Sequence, residues 1–242
     1  MMFKNYFYNF WDKFFQNSFT DEIHSIIKNL PYKKINIFDI GCYEGNFSRQ
    51  IKKKFEKSNK KLNFYLFDIN PKLEISDFKY NCLGISDKKN ISKTFYLNNV
   101  FPSSGSGFEK IAKEDVIWNW SRKILTFNFF NSFTENKVPV TTLEDFCNKN
   151  KISDIGILKI DTEGHELNVL HGGKKILKKV KILQIEVLDK KKNFNKKLKS
   201  INVFLKKYNF KLLYTKKIYS VSFFSRIRAT DFLYINDSIN SR

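Results

Sequence analysis

Four nearly unbroken apolar runs constrain this chain more than anything else in it. They are "INIFDI" (35–40), "NFYLFDI" (63–69), "IGILKI" (155–160) and "VKILQIEVL" (180–188). A strand with one wet face alternates apolar and polar residues, whereas a strand covered on both faces has no need to. Between the runs the spacing becomes helical: Phe47, Ile51 and Phe55 recur at i, i+4 and i+8, and helical patterns occupy 166–178 and 194–208. Strand and helix in alternation predict an α/β fold, a mostly parallel sheet with helices on both faces. Residues 81–86 read as a weaker third strand, 93–97 as a short extra one, and 210–214 and 231–235 as the closing strands.

A T-x-x-E capping box from Thr141 to Glu144 opens a predicted helix over 142–148. Residues 31–242 read as one domain, preceded by a helical extension over 1–30. The stretch 98–138 follows no periodicity and reads as a substrate-side insert. Its "PSSGSG" loop and its aromatics Trp118, Trp120, Phe127, Phe129 and Phe130 suit either stacking on sugar rings or a core or subunit contact.

Chemistry gathers where the strands end. "FDIGCYEGNFS" sets Asp39, Gly41, Cys42, Tyr43, Gly45 and Asn46 at the first strand-to-helix turn. Ligands of open parallel sheets bind outside these carboxyl ends. The spacing is G-x-x-x-G, without the middle glycine of the dinucleotide fingerprint, so it makes a poor pyrophosphate cradle. Asp68 and Ile69 end the second strand, where a carboxylate accepts hydrogen bonds from ribose hydroxyls. Ser86 and Asp87 end the third, beside the expected position of a purine. A nucleoside lacking phosphates points to S-adenosyl-L-methionine. Each signal alone is also what a tight turn with solvated acids would look like; their order at three successive strand ends distinguishes the two readings.

The 242 residues carry a formal net charge of +20, almost all from lysine, with five arginines (Arg49, Arg122, Arg226, Arg228 and Arg242). Nucleic-acid binders mix in arginine for its planar fork, and no RNA-binding module is evident. No nucleic-acid partner is expected, and the excess lysine reads first as compositional bias and second as attraction for anionic ligands or lipid. Cys42, Cys82 and Cys147 form no metal or disulfide pattern, which fits a reducing cytoplasmic setting. The aromatic start, "MMFKNYFYNFWDKFF", lacks the apolar core of a signal peptide. It suits a helix packed on the domain or a second subunit, or peripheral contact with a membrane surface. Oligomeric state is not legible.

In order, "NIFDIGCYEGNFS", "FYLFDINPKL", "VPVTTLEDF", "ILKIDTEGHELNVLHGGKKIL" and "ILQIEV" resemble the blocks of the FkbM family of methyltransferases. The resemblance implies a class I methyltransferase, Rossmann-like fold with a mostly parallel seven-stranded sheet. It further implies S-adenosyl-L-methionine as cofactor and O-methylation of sugars, glycans or related metabolites, as in polysaccharide biosynthesis. Asp68 stands where a glutamate is commoner, and Cys42-Tyr43 where Ala-Asn is frequent.

Methyl transfer to a hydroxyl is a problem of alignment plus removal of a proton. Asp161 ends the central strand, and Glu163, His165 and Glu166 follow within a turn. Asp161 and Glu163 are the leading candidates for the base or for orienting the reactants, with Asp161 also facing the cofactor. His165 has the ordinary titration range for a base near neutrality, although a solvated histidine at a helix start reads equally well. Glu186 either completes the site from the next strand or pairs with Lys159 between strands. These acids are hard-metal ligands by type, but the spacing specifies no metal. A base-methylating enzyme would instead carry an N-P-P-Y type loop where "DTEG" stands, and a scaffold that kept only the fold would bind no cofactor.

Overall fold

The computed structural model describes residues 19–70, 75–99, 105–111, 113–116, 119, 120, 124, 133–218 and 227–237. In chain order the described elements are α1 (Thr20–Lys28), β1 (Lys34–Ile40), α2 (Asn46–Lys54), β2 (Lys61–Asp68), β3 (Lys79–Cys82), β4 (Gly84–Ile85), β5 (Ile91–Asn98), β6 (Phe133–Thr141), α3 (Leu143–Lys149) and β7 (Ile155–Ile160). There follow α4 (Glu166–His171), α5 (Lys174–Leu177), β8 (Val180–Lys190), α6 (Lys191–Lys206), β9 (Phe210–Ile218) and β10 (Ile227–Asn236). The main sheet has seven strands in the order β3-β2-β1-β7-β8-β10-β9. The pairings β3–β2, β2–β1, β1–β7 and β7–β8 are parallel, and β10 runs antiparallel to both of its neighbours. A second sheet, β4-β6-β5, stands beside it.

The unbroken apolar runs are buried on both faces, as their composition requires. On one face Ile35, Ile37, Ile157, Ile182 and Leu233 pack against Ile23 and Ile27 of α1 and Phe47 and Ile51 of α2. On the other, Phe38, Ile40, Leu158, Leu183 and Ile185 meet α3, α4, α5 and α6 through Phe146, Val169, Leu177 and Phe194. Each fully buried Leu, Ile or Phe contributes about 1.5–3 kcal/mol of transfer free energy. Rows of them hold the sheet rigid, so the loops at its carboxyl edge start from fixed points.

Three local expectations are corrected. The third strand does not run through 81–86: it leaves the main sheet after Cys82, and Gly84–Ile85 pairs instead with β6. The capping box sits one residue later than predicted. Thr142 is the N-cap of α3 and its Oγ1 accepts from the Asp145 N–H at 3.1 Å, while Thr141 Oγ1 donates to the Asp145 carboxylate. The helix over 166–178 is two helices, α4 and α5, parted at Gly172-Gly173. A Cβ on Gly172 would lie 2.0 Å from the Ser86 carbonyl oxygen, so the break lets the chain pass close under the β4 tip. The extra strand at 93–97 exists and is longer, as β5. The 1–15 aromatic stretch and Trp118, Phe127, Phe129 and Phe130 lie outside the described residues; Trp120 is exposed.

Candidate functional site

The carboxyl ends of β1, β2, β4 and β7 converge, and each brings a polar residue. At the β1 tip, Gly41 has φ +77, and a Cβ there would lie 1.7 Å from the Asp161 carbonyl oxygen. Only glycine permits this approach and this backbone conformation together. The Gly41 and Cys42 N–H groups both donate to the Phe67 carbonyl, and the Asp161 N–H donates to that of Ile40. One glycine thus closes three strand tips onto each other. Gly45, at φ +78, is the N-cap of α2, with Asn46 half-buried after it; Cys42 is buried against Leu66 and Ile75.

Asp68 ties the second tip to the first. Its Oδ2 accepts from the Tyr43 N–H at 2.9 Å, and its Oδ1 accepts from the N–H groups of Ile69 (2.8 Å) and Asn70 (3.1 Å). A carboxylate has about four acceptor positions, so capacity for one further donor remains. Ile69 itself packs with Phe95 and Val138. Asp39 lies beneath the loop rather than on it. It is completely buried, takes a hydrogen bond from Ser48 Oγ at 2.8 Å, and stands 3.5 Å from Lys159 Nζ. Burial raises its pKa, and Lys159 and Ser48 oppose the rise.

A group of carboxylates crowds the β7 tip. Asp161 accepts from Lys159 Nζ at 3.0 Å and keeps 29% of its side chain exposed, whereas Asp39 keeps none. Glu186 and Asp231 face each other across the β8–β10 register. The pKa of Glu186 is raised well above 4.5, by burial first, then by the charges of Asp161, Asp231 and Glu163, and by a hydrogen bond with Asp161. Asp231 is raised by burial and then by Asp161, against Lys159 and Lys216. Burial lowers the pKa of Lys159, but Asp161 and Asp39 outweigh it and the net shift is upward. Lys159 pairs with Asp39 and Asp161, not with Glu186; in register it stands beside Gln184. No group of three or more His, Cys, Asp or Glu side chains among the described residues has an arrangement that would hold a metal ion.

The D-T-E-G-H-E turn carries the rest. Glu163 sits at φ +52, and its Oε1 accepts from the Gly105 N–H at 2.7 Å. Gly164, at φ +109, packs on Glu109 and Ile111. Glu166 points away from the tip into a clamp: Lys197 Nζ lies 2.7 Å from its Oε2, and the Gly164 N–H donates to its Oε1. His165 is not solvated. It is fully buried, with Nδ1 2.9 Å from Glu109 Oε1 and Nε2 3.0 Å from Ser86 Oγ and 3.3 Å from Lys93 Nζ. Ser86, equally buried, lies 2.9 Å from the Asp87 carboxylate. Hydrogen bonds from Asn168 and Ser86 overcome a burial penalty and hold Asp87 below its ordinary pKa.

The strand tips therefore bring Gly41, Asp68 and Asp161 together, with Glu186 joined to Asp161 and Glu163 on the same turn. Ser86, Asp87 and His165 form a separate group beside them, and Asp39 is covered. Asp231, Glu109, Lys93 and Lys197 were missed in sequence. Only Asp231 left a signal, a carboxylate inside an apolar closing strand.

The residues present fit a cationic nucleoside thioether derivative. The tip concentrates carboxylates around one lysine in a chain that is otherwise strongly basic, which complements a sulfonium and an ammonium group. Buried Thr162 Oγ1 has no hydrogen-bond partner among the described residues.

Among known proteins, the family described as the methyltransferase FkbM domain matches residues 39–212. No curated protein sequence matches. Of solved structures, the FkbM methyltransferase of Methylobacillus flagellatus KT is 11% identical over 85% of this chain and 45% of that one, with a TM-score of 0.43. Trm5b from Pyrococcus abyssi is 12% identical over 89% of this chain and 48% of that one, with a TM-score of 0.39. The chain spans about half the length of these two. TYW2 of M. jannaschii, in complex with AdoMet, is 9% identical over 91% and 78%, with a TM-score of 0.33. The fold is mixed α/β with a mostly parallel seven-stranded sheet. No helix among the described residues is long and apolar enough to cross a membrane.

Proposed function

Because this chain belongs to the FkbM methyltransferase family, we propose that it transfers a methyl group from S-adenosyl-L-methionine to a hydroxyl of a sugar, glycan or related small metabolite. The observation that carries this reading is the Gly41–Asp161 contact. It sets the glycine loop and a partly exposed carboxylate side by side at the sheet edge, with Asp68 tied to the same loop through Tyr43. The cofactor, when bound, supplies an electrophilic methyl and its thioether leaving group.

The chain's own residues have three tasks. The loop 41–45 approaches the ligand through backbone, with Asp68 holding Tyr43, Ile69 and Asn70 in place and keeping one acceptor position for a ribose hydroxyl. The carboxylates at the β7 tip favour the cation. Asp161 takes the proton from the acceptor hydroxyl, a contribution of roughly 10²–10⁴-fold. It suits this role because Lys159 fixes its Oδ2 while the side chain stays in reach of a ligand. His165 has both ring nitrogens engaged inside the protein, so it is assigned no proton from the acceptor.

Titration calorimetry with S-adenosyl-L-methionine, followed by mass spectrometry of glycan, metabolite and RNA acceptors incubated with it, tests the reading. Binding plus an added methyl on a hydroxyl supports it. No binding by the folded protein overturns it, and methylation confined to RNA bases replaces the acceptor class.

A further inference from the structure

Four side chains form a chain of polar contacts from the 105–111 segment to the β4 tip: Glu109, His165, Ser86 and Asp87. Two of them, His165 and Ser86, are fully buried, and Lys93 Nζ lies 3.3 Å from His165 Nε2 and 3.4 Å from Ser86 Oγ. Counting protons decides how the chain is wired. An ionised Asp87 only accepts, so the Ser86 hydroxyl hydrogen goes to it. The Lys93 ammonium only donates, so His165 Nε2 facing it must be the bare, accepting nitrogen. The proton of a neutral ring then sits on Nδ1 and is donated to Glu109 Oε1. In this arrangement every donor meets an acceptor, no proton lies directly between Ser86 Oγ and Nε2, and the Lys93 ammonium, donating to both, is the link between the ring and the serine. In the other tautomer an N–H would face the ammonium and a bare Nδ1 would face a carboxylate.

We propose that Glu109 is a positioning residue that fixes the tautomer of His165 and, through the ring and the Lys93 ammonium it receives, holds Ser86 and Asp87 in the orientation that grips the purine side of the cofactor. The inference rests on the functional reading above for the identity of that ligand. It makes the segment between β5 and β6 part of cofactor recognition, although Glu109 is separated from Asp87 by two side chains. The hydrogen bond from His165, against the cost of burial, keeps the Glu109 carboxyl ionised and below its usual pKa. A Cβ on Gly164 would lie 3.2 Å from Glu109 Cβ and Cγ, so the glycine leaves room for the glutamate to reach the ring.

Glu109→Leu is the sharp variant, because it removes the acceptor that holds the proton on Nδ1. Three readouts are taken on the full chain. Ring-nitrogen NMR shifts of His165 report the tautomer, hydrogen exchange reports the Asp87 amide, and calorimetry with S-adenosylhomocysteine reports the grip. The wild type should show the Nδ1–H form. The variant should lose it, exchange the Asp87 amide faster, and bind S-adenosylhomocysteine about tenfold more weakly, the equivalent of one charge-assisted hydrogen bond. Glu109→Asp should restore part of each effect, and Glu109→Ala replaces the leucine variant if that one misfolds. An unchanged tautomer and exchange rate overturn the wiring; a changed tautomer with affinity within twofold of wild type overturns the link to the ligand. If the wild type binds no S-adenosylhomocysteine, the functional reading fails, while the tautomer and exchange data still decide the wiring.

Discussion

Two clusters of charged side chains flank the same six-residue turn and differ in how completely they are satisfied. On the side of β7, β8 and β10, Asp161, Glu186 and Asp231 crowd one another, with Lys159 the cation they share with Asp39. On the side of β4 and the 105–111 segment, Glu109, His165, Ser86 and Asp87 alternate donor and acceptor, with Lys93 completing the pattern. A cluster in which every proton has a place holds a structure still. A cluster with surplus like charge stores unfavourable energy that an incoming cation can relieve. The comparison teaches where to look for chemistry and where for support, although both clusters have histidine or carboxylates within one turn of Asp161.

The largest test removes the exposed acid. Asp161→Asn should leave cofactor affinity largely intact and lower turnover roughly 10²–10⁴-fold, measured by product formation at saturating cofactor. Full activity in that variant would end the assignment of the crowded cluster to chemistry. Next comes the joint that brings both clusters to one edge: Gly41→Ala places a methyl 1.7 Å from the Asp161 carbonyl in a positive-φ residue. It should cost about 3 kcal/mol or more of unfolding free energy in a denaturant titration. A loss below about 1 kcal/mol would mean that the loop relaxes freely.

A smaller effect separates the clusters by sign. Because the folded-state pKa of Glu186 is raised above 4.5, its contribution to stability is complete below pH 4.5 and declines as pH rises toward the folded value. Glu186→Gln removes that decline. At pH 8 it should therefore be more stable than wild type, by about 1 kcal/mol, and the advantage should vanish at pH 4. Glu109 has the opposite sign. Its lowered pKa contributes stability above 4.5 that is lost as pH falls below it. Since its side chain is 41% exposed, solvent screening reduces the expected loss in Glu109→Gln to a few tenths of a kcal/mol at pH 7. Thermal unfolding across pH 4–8 checks both, and a same-sign response in the two variants would erase the distinction between the clusters.

What could be read directly from residue order was whatever depends on neighbours along the chain. Strands apolar on both faces, the helical spacing of Phe47 and Ile51, and glycines at a strand-to-helix turn all act through local backbone preference and burial, so the parallel sheet and its working edge were legible at once. Boundaries were less so. The break after Cys82 goes with the pairing of Gly84–Ile85 to β6, and the parting at Gly172-Gly173 with the close pass under Ser86, both contacts between distant segments. The partners of each acid were not legible at all. Nothing near Asp39 in sequence says that Ser48 and Lys159 enclose it, or that Asp231, more than forty positions beyond Glu186, faces it across two strands. Whether a carboxylate serves as structure or as chemistry depends on its solvent and its neighbours' charges, and those are set only when the sheet assembles.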